Sequence, residues 1–204
     1  MRGGCILDKN AMEKELTKQL SKYENRQCKV YLLHGDLDDH EMHALYRHDD
    51  IHALVSLTHG EGFGLPLFEA AYCGLPVVAT DWSGHLDFLY KPTKDKKGKT
   101  KPRAHYAKVD YDLQQIPPGA VWDGVLQRDS MWAFPKQGSY KMKLREVYKD
   151  YKRFKSQANK LQKWVSKEFR AESQYTRFND SLGEFIPTED DLEWEKQLSE
   201  IKVI

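Results

Sequence analysis

The stretch His59-Gly-Glu-Gly-Phe-Gly-Leu-Pro-Leu-Phe-Glu-Ala70 sets two glycines and a proline between two carboxylates. The apolar run 53–57 precedes it and Pro76-Val-Val-Ala-Thr80 follows it, and both runs are typical of short strands. Pro66 favours the first turn of a helix, and Gly74 favours the end of that helix. This order predicts a strand, loop, helix, strand unit whose polar loop lies where open parallel sheets bind their ligands.

Strands and helices alternate on both sides of this unit. Residues 11–23 have the spacing of a surface helix, and residues 30–33 are typical of a short buried strand. Asp38 and Glu41 resemble a capping box for a helix through Tyr46. Residues 139–169 carry apolar side chains at steps of three and four, which predicts one or two amphipathic helices. The pattern predicts an α/β fold with a parallel sheet and flanking helices.

Composition limits the kinds of partner. The chain has 204 residues and a net charge of +1, so it has no overall attraction to nucleic acid or membrane. Its three cysteines are far apart in sequence, which indicates neither a disulfide framework nor a paired metal motif. No apolar run reaches the length of a bilayer-spanning helix, and the first residues lack a signal-peptide pattern. We expect a cytoplasmic protein.

The residues of the glycine loop suit a ligand with phosphates and hydroxyls. Gly62 and Gly64 leave backbone amides uncovered, and the helix that Pro66 begins directs its positive end toward the same place. Glu69 and Glu61 could each accept hydrogen bonds from a pair of sugar hydroxyls, so a nucleotide sugar fits the whole loop. A simpler interpretation stays open: Glu61 is a solvated turn residue, and Glu69 is a helix charge favoured by the dipole.

The run from Glu61 to Thr80 resembles the Glu-x7-Glu signature of retaining family 4 glycosyltransferases, which have the GT-B fold. The segments Leu32-Leu-His-Gly-Asp-Leu37 and Leu45-Tyr46 resemble that family in order and spacing. The resemblance covers roughly residues 12–90 and loosens through the last helices. It implies a Rossmann-like domain, the C-terminal half of a GT-B enzyme, followed by a helical C-terminal segment.

The resemblance also implies roles for single residues. Glu69 would bind the ribose of a nucleoside diphosphate sugar, and Glu61, the catalytic candidate, would contact the donor sugar. Leu37 would pack against the nucleotide base. The remaining binding residues would offer backbone amides to the distal phosphate and sugar: Gly62, Phe63, Gly64 and Leu65. The family transfers the sugar with retention and is thought to use the leaving phosphate, not a protein nucleophile, so no metal or other cofactor is expected.

Two parts of the family's pattern are missing from this sequence. A GT-B enzyme binds its acceptor on a first Rossmann-like domain, and its second domain opens with a loop whose Arg and Lys neutralise the pyrophosphate. We therefore expect residues 1–170 to form a partial donor-binding domain with a basic loop at 91–103, and residues 171–204 to form a helical tail. The chain is either part of an active transferase, with the acceptor site on a separate domain or chain, or a nucleotide-sugar binding module without turnover.

Two other ligand classes partly fit residues in this region. Gly60-x-Gly62 with Asp81 partly fits a dinucleotide fingerprint of the NAD type, but Leu65 stands where its third glycine should be. Asp81 begins a segment, 81–85, that follows a strand and is either a ligand contact or a structural turn. The acidic and histidine residues in 34–43 could hold a metal, although a capped helix start explains the same residues.

The segment 91–103 carries seven Lys or Arg residues and one acidic residue. It is predicted to be a solvated, mobile loop. It lacks aromatic residues for base stacking, apart from tyrosines at its ends, so no nucleic acid partner is expected. A weak association with an anionic membrane surface stays open.

Overall fold

The computed structural model describes residues 6–183 and residues 192, 193 and 196. The chain divides into two compact units, Met1–Ile51 and His52–Ile204. The expected helical tail is described from residue 171 to residue 183, and most of the remainder of that prediction lies outside the described residues. Within the described part, no helix is both long enough and apolar enough to cross a membrane.

The first unit contains two helices, α1 (Ile6–Leu20) and α2 (Asp39–Tyr46). The predicted capping box is confirmed: the Glu41 amide donates to Asp38 Oδ1 at 2.8 Å, and the Asp38 amide donates to Glu41 Oε2 at 3.0 Å. Tyr46, the last residue of α2, is buried. Reciprocal capping satisfies two donors at the start of α2, which explains why this short helix begins at Asp39.

The prediction of a buried strand at 30–33 is wrong. These residues form irregular backbone, and the side chain of Tyr31 is 81% exposed. A strand needs a neighbour to pair its amides and carbonyls, and the described residues of the first unit contain only helices as regular structure. An apolar run without a pairing partner therefore stays irregular.

The second unit is a mixed α/β domain. Its strands are β1 (Leu54–Ser56), β2 (Val77–Thr80), β3 (Tyr90–Lys94), β4 (Thr100–Ala104), β5 (Ala107–Val109), β6 (Tyr111–Gln115) and β7 (Met131–Pro135). Its helices are α3 (Leu65–Tyr72), α4 (Leu86–Leu89), α5 (Gln137–Lys149), α6 (Tyr151–Glu168) and α7 (Ala171–Leu182), with a 3-10 turn at Pro118–Ala120. The central sheet has the order β1-β2-β5 and is parallel throughout, as predicted.

The core lies between this sheet and the helices. All four residues of β2 are buried, as expected for a central parallel strand covered on both faces. Val78 and Val109 of the sheet form a buried cluster with Val147 of α5 and Phe154 of α6. Leu67 of α3 is 1% exposed. Each such side chain contributes about 1.5–3 kcal/mol to folding, so this packing fixes the strand ends from which the polar loops project.

The basic segment 91–103 is a hairpin and not a loop. Strands β3 and β4 pair antiparallel from Tyr90 opposite Ala104 to Lys94 opposite Thr100. At the turn, Asp95 Oδ1 accepts the backbone amides of Lys97 and Lys99 at 2.8 and 3.0 Å. The composition suggested a solvated loop because lysine and proline are poor strand residues. Antiparallel pairing and the Asp95 turn decide the structure here.

A second hairpin joins the sheet to α5. It pairs β6 with β7, from Tyr111 opposite Pro135 to Gln115 opposite Met131. Because β6 follows β5 after one residue, this hairpin starts at the carboxyl end of the parallel sheet. The edge of the sheet that carries the glycine loop therefore also carries β6 and β7.

Candidate functional site

The glycine loop connects β1 to α3, as the sequence predicts. Gly64 is the residue before the first turn of α3 and has φ 86°, in the left-handed region that glycine adopts without strain. A Cβ at this position would lie 3.1 Å from Leu67 Cδ1 and 3.2 Å from His85 Cβ. Glycine is therefore required at position 64 both by the backbone angle and by the close packing of its neighbours.

The loop leaves a row of backbone donors without protein acceptors. Among the described residues, the amides of Gly62, Phe63 and Gly64 donate no hydrogen bond to another protein group. They lead into the N-terminus of α3, where the first amides of a helix have no acceptor within the helix. Uncovered amides and the positive end of a helix form an arrangement that binds phosphate. The structure thus places these three uncovered amides directly before the N-terminus of α3.

The two carboxylates of the stretch are available for a ligand. Glu61 is half-buried in the loop, and Glu69 is exposed on α3. Neither carboxylate has an ion-pair or hydrogen-bond partner within the part of the chain that the structure describes. Unpaired carboxylates on either side of uncovered amides can accept hydroxyl donors at the two ends of a phosphate-containing ligand.

The segment 82–85 runs beside the loop and supports it. The Glu61 amide donates to Ser83 Oγ at 2.7 Å, and the Gly84 amide donates to the Glu61 carbonyl at 3.1 Å. A Cβ on Gly84 would lie 1.8 Å from the Gly62 carbonyl oxygen, so the two backbones touch. Ser83 itself has φ 81°, a strained angle for a residue with a side chain. From the sequence, this segment could be either a ligand contact or a structural turn. Its contacts show that it holds the loop.

A cluster of aromatic side chains packs against the glycine loop. The Phe63 ring lies 5.3 Å from that of Phe68 and 5.1 Å from that of Phe88, which is fully buried. Phe68 and Phe88 also contact Phe169 after α6. The Phe63 side chain packs against this cluster although it is 38% exposed, and this packing helps to hold the loop.

His59, at the start of the loop, is held by the β6–β7 hairpin. Its Nδ1 lies 2.9 Å from the Ala133 carbonyl oxygen, and its carbonyl accepts the Ala133 amide at 3.3 Å. Its ring stacks on Trp132 with centroids 4.9 Å apart and contacts Phe134. This support was not anticipated from the sequence, because the contact joins residues 74 positions apart and no local pattern marks it.

Asp81 is occupied by protein groups. Its Oδ1 accepts the hydroxyls of Tyr90 at 2.7 Å and Tyr106 at 2.5 Å, and Lys108 Nζ lies 2.6 Å from its Oδ2. Burial opposes ionisation of this carboxyl, but hydrogen bonds from Lys108, Tyr106 and Tyr90 together with the Lys108 charge outweigh burial and lower its pKa. A carboxylate with these partners is poorly placed to bind a ribose, so the structure gives no support to an NAD-type site.

The pKa values of the Tyr and Lys partners of Asp81 are raised, whereas that of Asp81 is lowered. Burial raises the pKa of Tyr106, and its hydrogen bond to Asp81 raises that pKa further. The hydrogen bonds of Lys108 to Asp81 and Tyr90 raise the pKa of its ammonium. The cluster is therefore a fixed ion pair with two neutral phenols at neutral pH. It connects β2, β3 and β5.

His85 is 1% exposed beside the loop. Its Nε2 lies 2.7 Å from the Thr80 carbonyl oxygen and must carry a proton to donate there. Its Nδ1 has no hydrogen-bond partner among the described groups. The His85 Cβ atom lies close to Gly64, so this residue contributes to the shape of the loop.

Leu37, the residue predicted to contact the nucleotide base, belongs to the first unit. It is half-buried and directly precedes the Asp38 capping box. The described residues contain no group of three or more His, Cys, Asp or Glu side chains able to hold a metal ion. Asp38 and Glu41 of the acidic segment 34–43 hydrogen-bond to α2 backbone groups instead.

Comparison with known proteins gives one match. Residues 4–95 match the family model described as glycosyl transferases group 1. The match contains the whole glycine loop, α3 and β2, and it ends at the turn of the β3–β4 hairpin. No curated protein and no solved structure matches the chain.

Proposed function

We propose that this chain binds a nucleoside diphosphate sugar as the donor for glycosyl transfer. The observation that carries the proposal is the row of uncovered amides at Gly62, Phe63 and Gly64, set at the start of α3 between the unpaired carboxylates of Glu61 and Glu69. The match of residues 4–95 to group 1 glycosyl transferases supports it, since that match spans the same loop.

In this proposal each group binds a different part of the donor. Glu69 accepts the two ribose hydroxyls, and the loop amides, with that of Leu65, bind the distal phosphate. Glu61 accepts hydroxyls of the sugar beyond the phosphates. The loop amides and the dipole of α3 are the anion-binding groups that we assign.

We infer transfer with retention, as in the family 4 glycosyltransferases of GT-B fold that the sequence resembles. The bond between the anomeric carbon and the phosphate oxygen breaks, and a bond to an acceptor oxygen forms on the same face of the sugar. The acceptor hydroxyl gives its proton to the leaving phosphate, so no protein nucleophile or metal takes part. The acceptor would be held by a separate domain or chain. As for the cellular setting, the exposed thiol of Cys28 suits a reducing, cytoplasmic environment.

Thermal shift with a panel of nucleoside diphosphate sugars tests donor binding. A ligand at about 100 times its dissociation constant stabilises the native state by about 2.7 kcal/mol. For a chain of this size, that corresponds to a rise in melting temperature of about 5–10 °C. We expect at least one member of the panel to give such a rise, and the free nucleoside diphosphate to give a smaller one.

Glu69→Gln should weaken donor binding by about 10–100-fold, because hydrogen bonds to a charged acceptor contribute about 1.5–3 kcal/mol. The matched control is Glu172→Gln, which changes an exposed carboxylate in α7 and should leave the shift unchanged. Equal shifts for the wild-type chain and Glu69→Gln would contradict the assignment of Glu69 to the ribose. A panel with no stabilising member would contradict donor binding itself.

The same preparations distinguish a transferase from a binding module. Incubation with radiolabelled donor and water alone should release labelled sugar slowly if this chain assists departure of the phosphate. Stabilisation by the donor without hydrolysis or transfer, even with a partner chain that supplies acceptor groups, would favour the binding module.

A further inference from the structure

The β3–β4 hairpin and helix α6 are far from each other in sequence but adjacent in the fold. Together they form one basic surface. Lys91 Nζ of the hairpin lies 3.5 Å from the Lys160 carbonyl oxygen of α6. Burial lowers the pKa of His105, and the charges of Lys91 and Lys160 lower it further, so both charges lie close to the same ring. We define the basic surface by its seven side chains: Lys91, Lys101, Arg103, Lys152, Lys155, Lys160 and Lys163.

The geometry of each element leaves five of the seven side chains exposed, whereas Lys91 and Lys155 are half-buried and their Nζ atoms donate to the Lys160 and Gly74 carbonyl oxygens. In the hairpin, Lys91 pairs with Arg103 and Thr93 pairs with Lys101, on the face opposite the Tyr90 side chain that reaches Asp81. In α6, four of the lysines line one shallow groove: Lys152, Lys155, Lys160 and Lys163. The opposite side of α6 is buried through Phe154, Ala158, Leu161 and Val165. The core therefore fixes which way α6 presents its lysines.

The charges of this surface are not neutralised by the chain. None of the seven side chains forms an ion pair with another described residue. Segments 91–103 and 151–167 hold seven and six of the 32 basic residues, but only one of the 31 acidic ones, Asp95. The chain as a whole is nearly neutral, so the positive charge is concentrated here. A concentration of unpaired charge attracts an anionic partner.

The residue types favour an extended, planar anionic surface as the partner over a discrete small ligand. Six of the seven side chains are lysines, which act as hydrated point charges, whereas phosphate-specific sites favour the bidentate geometry of arginine. The surface also lacks stacking groups for nucleic acid bases: Tyr151, the aromatic residue in the α6 groove, contacts His52 edge-on at 5.2 Å. A helix of 18 residues is about 27 Å long, so its lysines can meet a planar surface together.

We propose that the basic surface of α6 and the β3–β4 hairpin docks this protein on an anionic phospholipid bilayer. The apolar side of α6 is used by the core, so docking is electrostatic adsorption without insertion of the helix. It is reversible and weakens steeply with salt, since the screening length falls from about 10 Å at 0.1 M salt to about 3 Å at 1 M. This inference goes beyond the proposed donor site and does not depend on it.

Cosedimentation with lipid vesicles tests the docking. The full chain should bind vesicles of phosphatidylcholine mixed with phosphatidylserine at 0.05–0.1 M salt, and it should not bind vesicles of phosphatidylcholine alone. The triple variant Lys152→Gln, Lys160→Gln, Lys163→Gln should bind about 100-fold more weakly, from about fivefold for each lysine near an anionic surface. These three side chains are exposed and have no described partner, so the fold should keep its melting temperature.

The matched control removes the same charge elsewhere, with Lys14→Gln, Lys18→Gln and Lys22→Gln on and after α1, all exposed. It should change vesicle binding by less than about threefold, a small effect of net charge. Binding that is absent, independent of phosphatidylserine, or equal in the two triple variants would overturn the proposal. So would tighter binding of duplex DNA or single-stranded RNA than of vesicles at the same salt concentration, because the surface would then serve nucleic acid.

Discussion

Gly84→Ala is expected to displace the glycine loop, abolish donor stabilisation and lower the stability of the chain by about 3 kcal/mol or more. The new Cβ would lie 1.8 Å from the Gly62 carbonyl oxygen and 3.0 Å from the Glu61 carbonyl oxygen. These are backbone atoms, so no side-chain rotation relieves the overlap, and one of the two segments must move. Movement separates Ser83 from the Glu61 amide and tilts the uncovered amides away from a common anion. Urea unfolding and thermal shift with the best donor measure the two effects.

The matched control for this variant is Gly119→Ala. Gly119 lies in the 3-10 turn, and a Cβ there meets no atom within 4 Å. This variant should keep both the unfolding free energy within about 0.5 kcal/mol and the full donor shift. If Gly84→Ala gave the same unfolding midpoint and the same donor shift as Gly119→Ala, the close contact between segment 82–85 and the loop would not be essential to either property.

Asp81→Asn should destabilise the chain by about 2–3 kcal/mol, the second largest effect that we expect. The amide has nearly the shape of the carboxylate, so no cavity forms. Lys108 loses its counter-charge and faces an amide, and the Tyr90 and Tyr106 hydroxyls lose a charged acceptor. The control is Asp112→Asn, which breaks the exposed Lys136–Asp112 pair and should cost less than about 1 kcal/mol.

The cost of Asp81→Asn should also depend on pH. The pKa of Asp81 is lower in the folded chain than its ordinary value, so ionisation of this carboxyl stabilises the native state above the unfolded pKa, about 3.9. That stabilisation is lost as the pH falls through the folded pKa. Unfolding curves should therefore show the full difference between wild-type chain and variant at pH 6, and a shrinking difference below about pH 4. A difference independent of pH would mean that the carboxylate charge is not the source of the stability.

The parts of the fold that the sequence predicted are those decided by neighbouring residues. The capping box of α2, the proline at the start of α3 and the buried strand β2 each depend on local backbone chemistry or on a continuous apolar run. The predictions failed where the presence or absence of a pairing strand decides the outcome. Residues 30–33 have the composition of a strand but no pairing neighbour among the described residues of their unit, and residues 91–103 have the composition of a loop but pair with each other.

The same distinction applies to the site. Glycines, a helix start and two carboxylates within 59–70 indicated a phosphate and hydroxyl ligand, because all these groups act through their own backbone or side chains. Their supports could not be predicted, since Ser83, Trp132 and Ala133 reach the loop only after the sheet has formed. The roles of Leu37, Glu61 and Glu69 toward a ligand remain predictions, and the Glu69→Gln variant tests that of Glu69.

The contact between His59 and Ala133 affects how the chain can be made. During synthesis, the loop at 59–64 leaves the ribosome long before Ala133, and before the α6 residues that cover α3. Until those residues emerge, the loop's backbone has no hairpin to hold it and the apolar face of α3 lies uncovered. The loop can therefore reach its final form only late in synthesis, and a nascent chain that stalls in between exposes the apolar face of α3 to aggregation.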